Sequence, residues 1–205
     1  MAEQISLNDR IRFSKMGHPS RVGSVAATAG LVTALNPVTD GTAATGVTAT
    51  EKGYGRQRLT SLALGDKAGG LAFTTIGGGA NLGVGALIYT FPAGDFVVNS
   101  VSLESVTLTE DDGYITGDDP DVGLGTTLAT GVQALLSAIT GAENILTGQT
   151  SVNLAVTDVI VATAVGVLAA DAHTLYLNAA DGWAANGEDD MSATGTIHID
   201  WTFLG

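Results

Sequence analysis

The side chains best suited to proton or nucleophile chemistry are His18, His173 and His198. They are scattered, and none sits in an HExxH zinc helix or beside a GxSxG nucleophile elbow. Asp171 and His173 share a strand parity, so a carboxylate–imidazole pair is open to them. A strand-end Asp beside a surface His is the simpler reading, because catalysis needs several groups converging on one point. His198 falls on the polar side of an alternating run, where solvent or an interface is expected to meet it. Cysteine is absent, which excludes disulfides, thiolate catalysis and Cys-based zinc sites. Neither an enzyme active site nor a cofactor is expected.

Three stretches invite a ligand. Gly77 to Gly85 is glycine-rich, but it has no Lys-Ser/Thr, does not match GxGxxG and precedes a strand rather than a helix; a loop between strands is expected, not a phosphate cradle. The acidic loop from Glu110 to Asp121 offers Asp111, Asp112, Asp118, Asp119 and Asp121 as oxygen ligands for Ca²⁺, although the spacing is not that of an EF-hand. A solvated acidic loop is the plainer alternative, and Glu188-Asp189-Asp190 is a weaker second candidate. Trp183 lies in an expected loop and is open to sugar stacking, whereas Trp201 has the parity of a buried face.

Charge is the most informative property. The net charge of −13 disfavours nucleic acid as the main partner, since phosphate binding needs a basic face. All eight basic residues (Arg10, Arg12, Lys15, Arg21, Lys52, Arg56, Arg58 and Lys67) lie in the first third of the chain. From residue 68 onward there are sixteen acids and no Lys or Arg. A cationic segment ahead of an anionic domain predicts oriented docking on an acidic surface, because complementary potentials steer encounter and fix register. Arg10, Arg12, Lys15, Arg21, Arg56 and Arg58 are the expected contacts.

The elements that must carry these residues read as strands. Gly is frequent, at 28 residues, and Ala, Thr and Val dominate the remainder, which suits short strands and turns rather than helices. Strands are predicted over 59–64, 71–76, 83–91, 96–109, 152–161, 165–169, 173–178 and 193–203. In the last of these, Ile197, Ile199, Trp201 and Phe203 alternate with polar residues, a period of two with one buried face. The stretch 128–139 fits a strand pair or one short helix, and 110–121 is read as a loop. Strands without interleaved helices predict an all-β fold, a jelly-roll-like β-sandwich over 59–205. Residues 1–58 are expected to form an extended N-terminal arm with weak strands, ordered by a partner. The first residues are polar, so no secretory signal is expected; the longest apolar run, 159–170, is about half a bilayer span, so no membrane step is expected either.

Several phrases in the chain resemble virion structural proteins of tailed bacteriophages: 80–94 (ANLGVGALIYTFPAG), 119–126 (DPDVGLGT), 143–150 (ENILTGQT), and the closing stretches 173–183 and 201–205. The similarity spans roughly residues 55–205 and lies in strand-and-turn phrases. Within that group the size and all-β character are similar to capsid decoration, or cement, proteins; a major capsid protein is longer and has a long helix. The resemblance implies a structural protein on the outer capsid surface, assembled in the host cytoplasm. Its expected partners are the major capsid protein and its own copies, as a homotrimer bridging capsomers, with no nucleic acid and no membrane. A tail- or fibre-associated β module binding host glycan through Trp183 is the alternative, and a virion-borne hydrolase using His173 is the third. If the acidic loop holds Ca²⁺, a chelator will lower the melting temperature, because a ligand bound only by the folded state stabilises it; an unchanged melt leaves the loop as solvated acid.

Overall fold

The computed structural model describes residues 40–65, 70–73, 79–110, 115–116, 120–132, 135–152, 155–156, 159–161, 165–168, 173–180, 184–185 and 191–205. In chain order the strands are β1 (Thr42–Ala43), β2 (Val47–Tyr54), β3 (Gln57–Leu64), β4 (Leu71–Ala72), β5 (Gly79–Ala80), β6 (Leu82–Thr90), β7 (Phe96–Glu110), β8 (Ile115–Thr116) and β9 (Asp121–Gly125). They continue with β10 (Gly131–Val132), β11 (Leu146–Val152), β12 (Ala155–Val156), β13 (Val159–Val161), β14 (Val165–Leu168), β15 (Thr174–Ala180), β16 (Ala184–Ala185) and β17 (Met191–Phe203). A single 3₁₀ turn, Leu136–Ala138, is the only helical element among the described residues. Within the stretch 128–139 the outcome is therefore a short strand followed by that turn.

Two antiparallel sheets pack face to face, the all-β sandwich that the sequence predicts. One has the order β1-β6-β15-β9-β11. The other has β7 at its centre, with β12, β13 and β14 in line along one side and β17, β3 and β2 in succession on the other. β11 belongs to both: Leu146–Thr150 pairs with β9, and Ser151 and Val152 pair with β12. At the opposite side the turn closed by Val47 N–H to Ala44 O carries the chain from β1 in the first sheet to β2 in the second. A small sheet, β5-β16-β8, stands apart.

The expected boundary between residues 58 and 59 is corrected by this topology. β2 and β3 form a hairpin in register from Val47↔Leu64 to Tyr54↔Gln57, turning at Gly55 with φ of 61°. Residues 42–58 are thus part of the sandwich. Their small side chains misled the reading, because a strand held by backbone ladders needs few large residues. The rest of the expected arm, 1–39, lies outside the described residues.

Inner-face parity explains the core. On β17, Met191, Ala193, Ile197, Ile199 and Trp201 are all buried. On β7 the buried residues are Phe96, Val98, Val101, Leu103, Val106 and Leu108, a spacing that breaks strict alternation twice. Both breaks are β-bulges, at Asn99 opposite the Asp200/Trp201 step and at Ser105–Val106 opposite Gly195, and each returns the apolar set to the inner face. Ser105 and Gly195 take φ of 51° and 118° there. At one end the core is aromatic. Phe91 stacks on Phe96 at 4.3 Å between centroids and meets Tyr89 and Trp201 edge-on. The buried Trp201 indole N–H donates to Thr60 Oγ1 at 2.8 Å, which satisfies its one polar atom.

The outside of the β6-β15-β9 region is covered by the connection between β9 and β11. Gly125 permits this approach, since a Cβ there would stand 2.1 Å from Gly141 O. Asn178, fully buried, fixes the connection: its Oδ1 accepts from Ala129 N–H at 2.9 Å, and its Nδ2 donates to Thr127 O and Ala142 O at 2.9 and 2.8 Å. Asn178→Ala is expected to destabilise the protein by about 3 kcal/mol in urea unfolding, because it strands the buried Ala129 N–H and Ala142 O and frees Thr127 O. A loss no greater than that of an exposed substitution would show that water or loop movement replaces them.

Candidate functional site

The strands set where the acid-rich segments of the chain join the sandwich. β7 runs from the Phe96 end to the Glu110 end, roughly 45 Å at the usual rise per residue. At the Glu110 end, Glu110 pairs with Met191 and Ile115 pairs with Ala185, so the segments 110–115 and 185–191 are tethered to each other at both ends. Their chain carries Glu110, Asp111, Asp112, Glu188, Asp189 and Asp190. Asp118, Asp119 and Asp181 flank β8 and β16, which pair through Thr116↔Ala184, and Asp121 pairs with Ala180. Ten of the 21 acids of the chain therefore attach to one end of the sandwich. At the other end lie the β2–β3 hairpin, with Lys52, Arg56 and Arg58, the acids Asp40, Glu51, Asp95 and Asp200, and residue 40, where residues 1–39 join the sandwich.

Among the expected contact residues, Arg10, Arg12, Lys15 and Arg21 lie outside the described residues. Arg56 is at the surface, and its Nη1 donates to Leu204 O at 2.6 Å, tying the hairpin turn to the final strand. Arg58 is corrected: it is 3% exposed, facing inward with Thr60 and Leu62, and its Nη1 is 3.5 Å from Asp40 Oδ1. It is buried within the sandwich and cannot serve as a surface contact in this conformation. The expectation treated all basic residues alike, while strand parity turns Arg58 in and leaves its chain neighbour Gln57 out.

The calcium candidates Asp111, Asp112, Asp118 and Asp119 lie outside the described residues. Asp121 is described. Its Oδ1 is sealed from water without a hydrogen-bond partner among the described residues. A Cβ added at Gly148 would stand 3.4 Å from both Asp121 Oδ2 and Glu143 Oε2. Glu143 Oε2 already accepts Gly148 N–H at 2.7 Å. Two carboxylates fall short of the six to eight oxygens that Ca²⁺ takes, and the described residues hold no group of three potential metal ligands. Trp183 and Asp171 lie outside the described residues. The His173 ring packs edge-on against Phe96 with centroids 5.5 Å apart.

His198 has partners that sequence alone does not show. Its Nδ1 is 2.8 Å from Ser61 Oγ and its Nε2 is 3.1 Å from Glu104 Oε2. With the ring proton on Nε2 and the serine proton aimed at Nδ1, all three groups are satisfied. The order Ser–His–Glu is that of a nucleophilic triad, but the setting is not. Ser61 sits on the interior strand β3, between β17 and β2, and its flanking backbone belongs to the two ladders. The group acts as a cross-strand clamp. Asn99 makes a second one, donating from Nδ2 to Asp200 Oδ1 at 3.0 Å and Thr202 Oγ1 at 2.9 Å.

A third cluster lies on the inner face where residues 40 and 41 meet the sandwich. Glu51 on β2 points inward; its Oε1 accepts the Tyr89 hydroxyl proton and the Gly41 N–H at 3.1 Å. Gly41 N–H also reaches Tyr89 Oη at 3.0 Å. Burial pushes the Glu51 carboxyl up to about 7, and the neighbouring Asp40 charge adds to this against the pull of Gly41 N–H and Arg58. The strand parity of Glu51 against Val47 and Ala49 is the one sequence signal that it faces the core.

No family model matches this chain, and neither a curated protein nor a solved structure is similar to it. The anionic end remains its most distinctive physical property. Raising salt from about 0.01 M to about 1 M, which shortens the screening length from roughly 30 Å to roughly 3 Å, is expected to raise the melting temperature by relieving that repulsion. A melt that falls with salt would mean that attraction, not repulsion, dominates the surface charge.

Proposed function

We propose that this protein is a non-enzymatic assembly protein, a capsid decoration protein of a tailed phage that binds the outer shell surface and bridges capsomers. The observation that carries the proposal is the polarity of the fold. Acid-rich segments are anchored at one end of the sandwich, through Glu110, Ile115, Ala185 and Met191, while the segment bearing Arg10, Arg12, Lys15 and Arg21 joins at the other. A body of this kind docks in one orientation, because its cationic segment seeks an acidic surface while its anionic end is repelled from it. The anionic ends of neighbouring copies also repel, which favours attachment to a shell over clumping in solution.

In this reading the major capsid protein is the partner and residues 1–39 supply the contacts, with Arg56 at the rim of the same end. Homotrimeric packing and a jelly-roll strand order belong to the proposal through the resemblance to decoration proteins. The non-enzymatic part is supported by the Ser61–His198–Glu104 geometry, in which the imidazole bridges adjacent strands within a regular sheet.

Replacing Arg10, Arg12 and Lys15 together by Ser is expected to weaken binding to purified shells by about tenfold at low salt, with a smaller effect at high salt, as expected for exposed charge pairs. Binding indifferent both to salt and to the three substitutions would argue against the proposed attachment. Cryo-electron microscopy of the virion gives the independent check: density for this chain on the capsid exterior is expected, and density confined to the tail would overturn the assignment.

A further inference from the structure

The cluster of Asp40, Gly41, Glu51, Arg58 and Tyr89 has a composition that packing alone does not require. A sandwich interior is filled most stably by apolar groups, yet β2 and β3 direct Glu51 and Arg58 inward side by side, through Glu51↔Thr60 and Gly53↔Arg58. Every element around Glu51 contributes a polar or titratable group. β6 supplies Tyr89, β3 supplies Arg58, and the chain ahead of β1 supplies Asp40 and Gly41.

Glu51 Oε2 is sealed from water with no hydrogen-bond partner among the fixed donors, and the Asp40 carboxylate lies within hydrogen-bonding reach of the same carboxyl. Two carboxylates in that relation are compatible only when they share a proton. Gly41 belongs to the same construction, because a Cβ there would stand 2.2 Å from Tyr89 Oη. Only glycine lets the backbone come close enough for its N–H to reach both Tyr89 and Glu51.

We infer that this cluster is a proton-operated latch, holding Asp40–Gly41, and with them the point where residues 1–39 leave the sandwich, while Glu51 is protonated and loosening them when it ionises. With Glu51 protonated, its hydroxyl donates to Asp40, and Asp40 keeps its ion pair with Arg58. Loss of the proton to solvent leaves two adjacent carboxylates facing one guanidinium, and the exposed member, Asp40, is free to swing away and take Gly41 with it. The side chain of Asp40 is 70% exposed, so that movement meets little obstruction, whereas Arg58 and Tyr89 are buried and stay.

The sign follows from the raised affinity of the closed latch for a proton. A group at about 7 when latched and near 4.5 when unlatched contributes its full stabilisation below about pH 4.5. That contribution is lost progressively as pH rises to about 7 and is flat beyond. Hydrogen exchange of the peptide spanning residues 40–46, corrected for intrinsic rates, is therefore expected to show protection falling by up to about tenfold per pH unit between about pH 5 and 7 and levelling above. A β17 peptide serves as the control for global opening and should show no such step.

Glu51→Gln keeps the hydrogen-bonding shape without the titration and is expected to abolish the pH dependence of the 40–46 peptide. Asp40→Asn, at an exposed position, is expected to shift the step to lower pH by removing the carboxylate that shares the proton. Protection independent of pH in the wild-type protein overturns the latch. So does a step that survives unchanged in Glu51→Gln, or, should that variant not fold, one that is unmoved in Asp40→Asn. The inference rests on the fold alone and stands or falls separately from attachment to a capsid.

Discussion

The long antiparallel pairing of β7 with β17 is the constraint from which the rest of the structure follows. It spans the full length of the sandwich, from Phe96↔Phe203 to Glu110↔Met191. A period of two along such a pair leaves no freedom about which residues face inward; a slip of one would expose Ile197, Ile199 and Trp201 together. Burying those three and their partners on β7 stabilises by several kilocalories per mole on the usual scale of about 1.5–3 for each large apolar side chain. Hence every other element takes its place from this pair: β3 and β2 extend it on one side, β12 to β14 on the other, and the second sheet closes over its inner face.

Two features of this spine separate the ends of the molecule. Its bulges let a strand of fifteen residues keep one apolar face despite twist, and so carry the chain from an aromatic end to an acidic one without a break in the core. Beyond Glu110 and Met191 the two partners continue outward and pair again at Ile115↔Ala185.

How much of this was legible beforehand depends on which physical rule governed each residue. The strands predicted at 59–64, 83–91, 96–109, 173–178 and 193–203 match β3, β6, β7, β15 and β17 to within a few residues, because their apolar faces are large and regular. β2 was missed as part of the sandwich because its residues, Val-Thr-Ala-Thr-Glu-Lys-Gly-Tyr, offer little apolar bulk; backbone pairing to β3 holds it. β9 and β11 were missed for a related reason. Glycines at 123, 125 and 148 interrupt their apolar pattern, and Gly123 and Gly125 make room for the connection that covers the sheet. Arg58 and Ser61 show the limit most clearly. Whether a polar side chain is buried, and what lies beside it, is set by register with a strand more than a hundred residues away, and no local pattern in the chain carries that information.

Chemistry-bearing side chains in the middle of this molecule are consumed by its own stability. Ser61, His198 and Glu104 clamp three adjacent strands, Asn99, Asp200 and Thr202 clamp two of them, and Asn178 holds a connection against the second sheet. A side chain with all its donors and acceptors committed has little left with which to bind or transform a ligand. Beside the junction with residues 1–39 stand the inward-facing Glu51 and the exposed Asp40. Strands of a sandwich can be tied together along their length only by using their polar groups, whereas the ends are where the chain turns and where charge can stay in water.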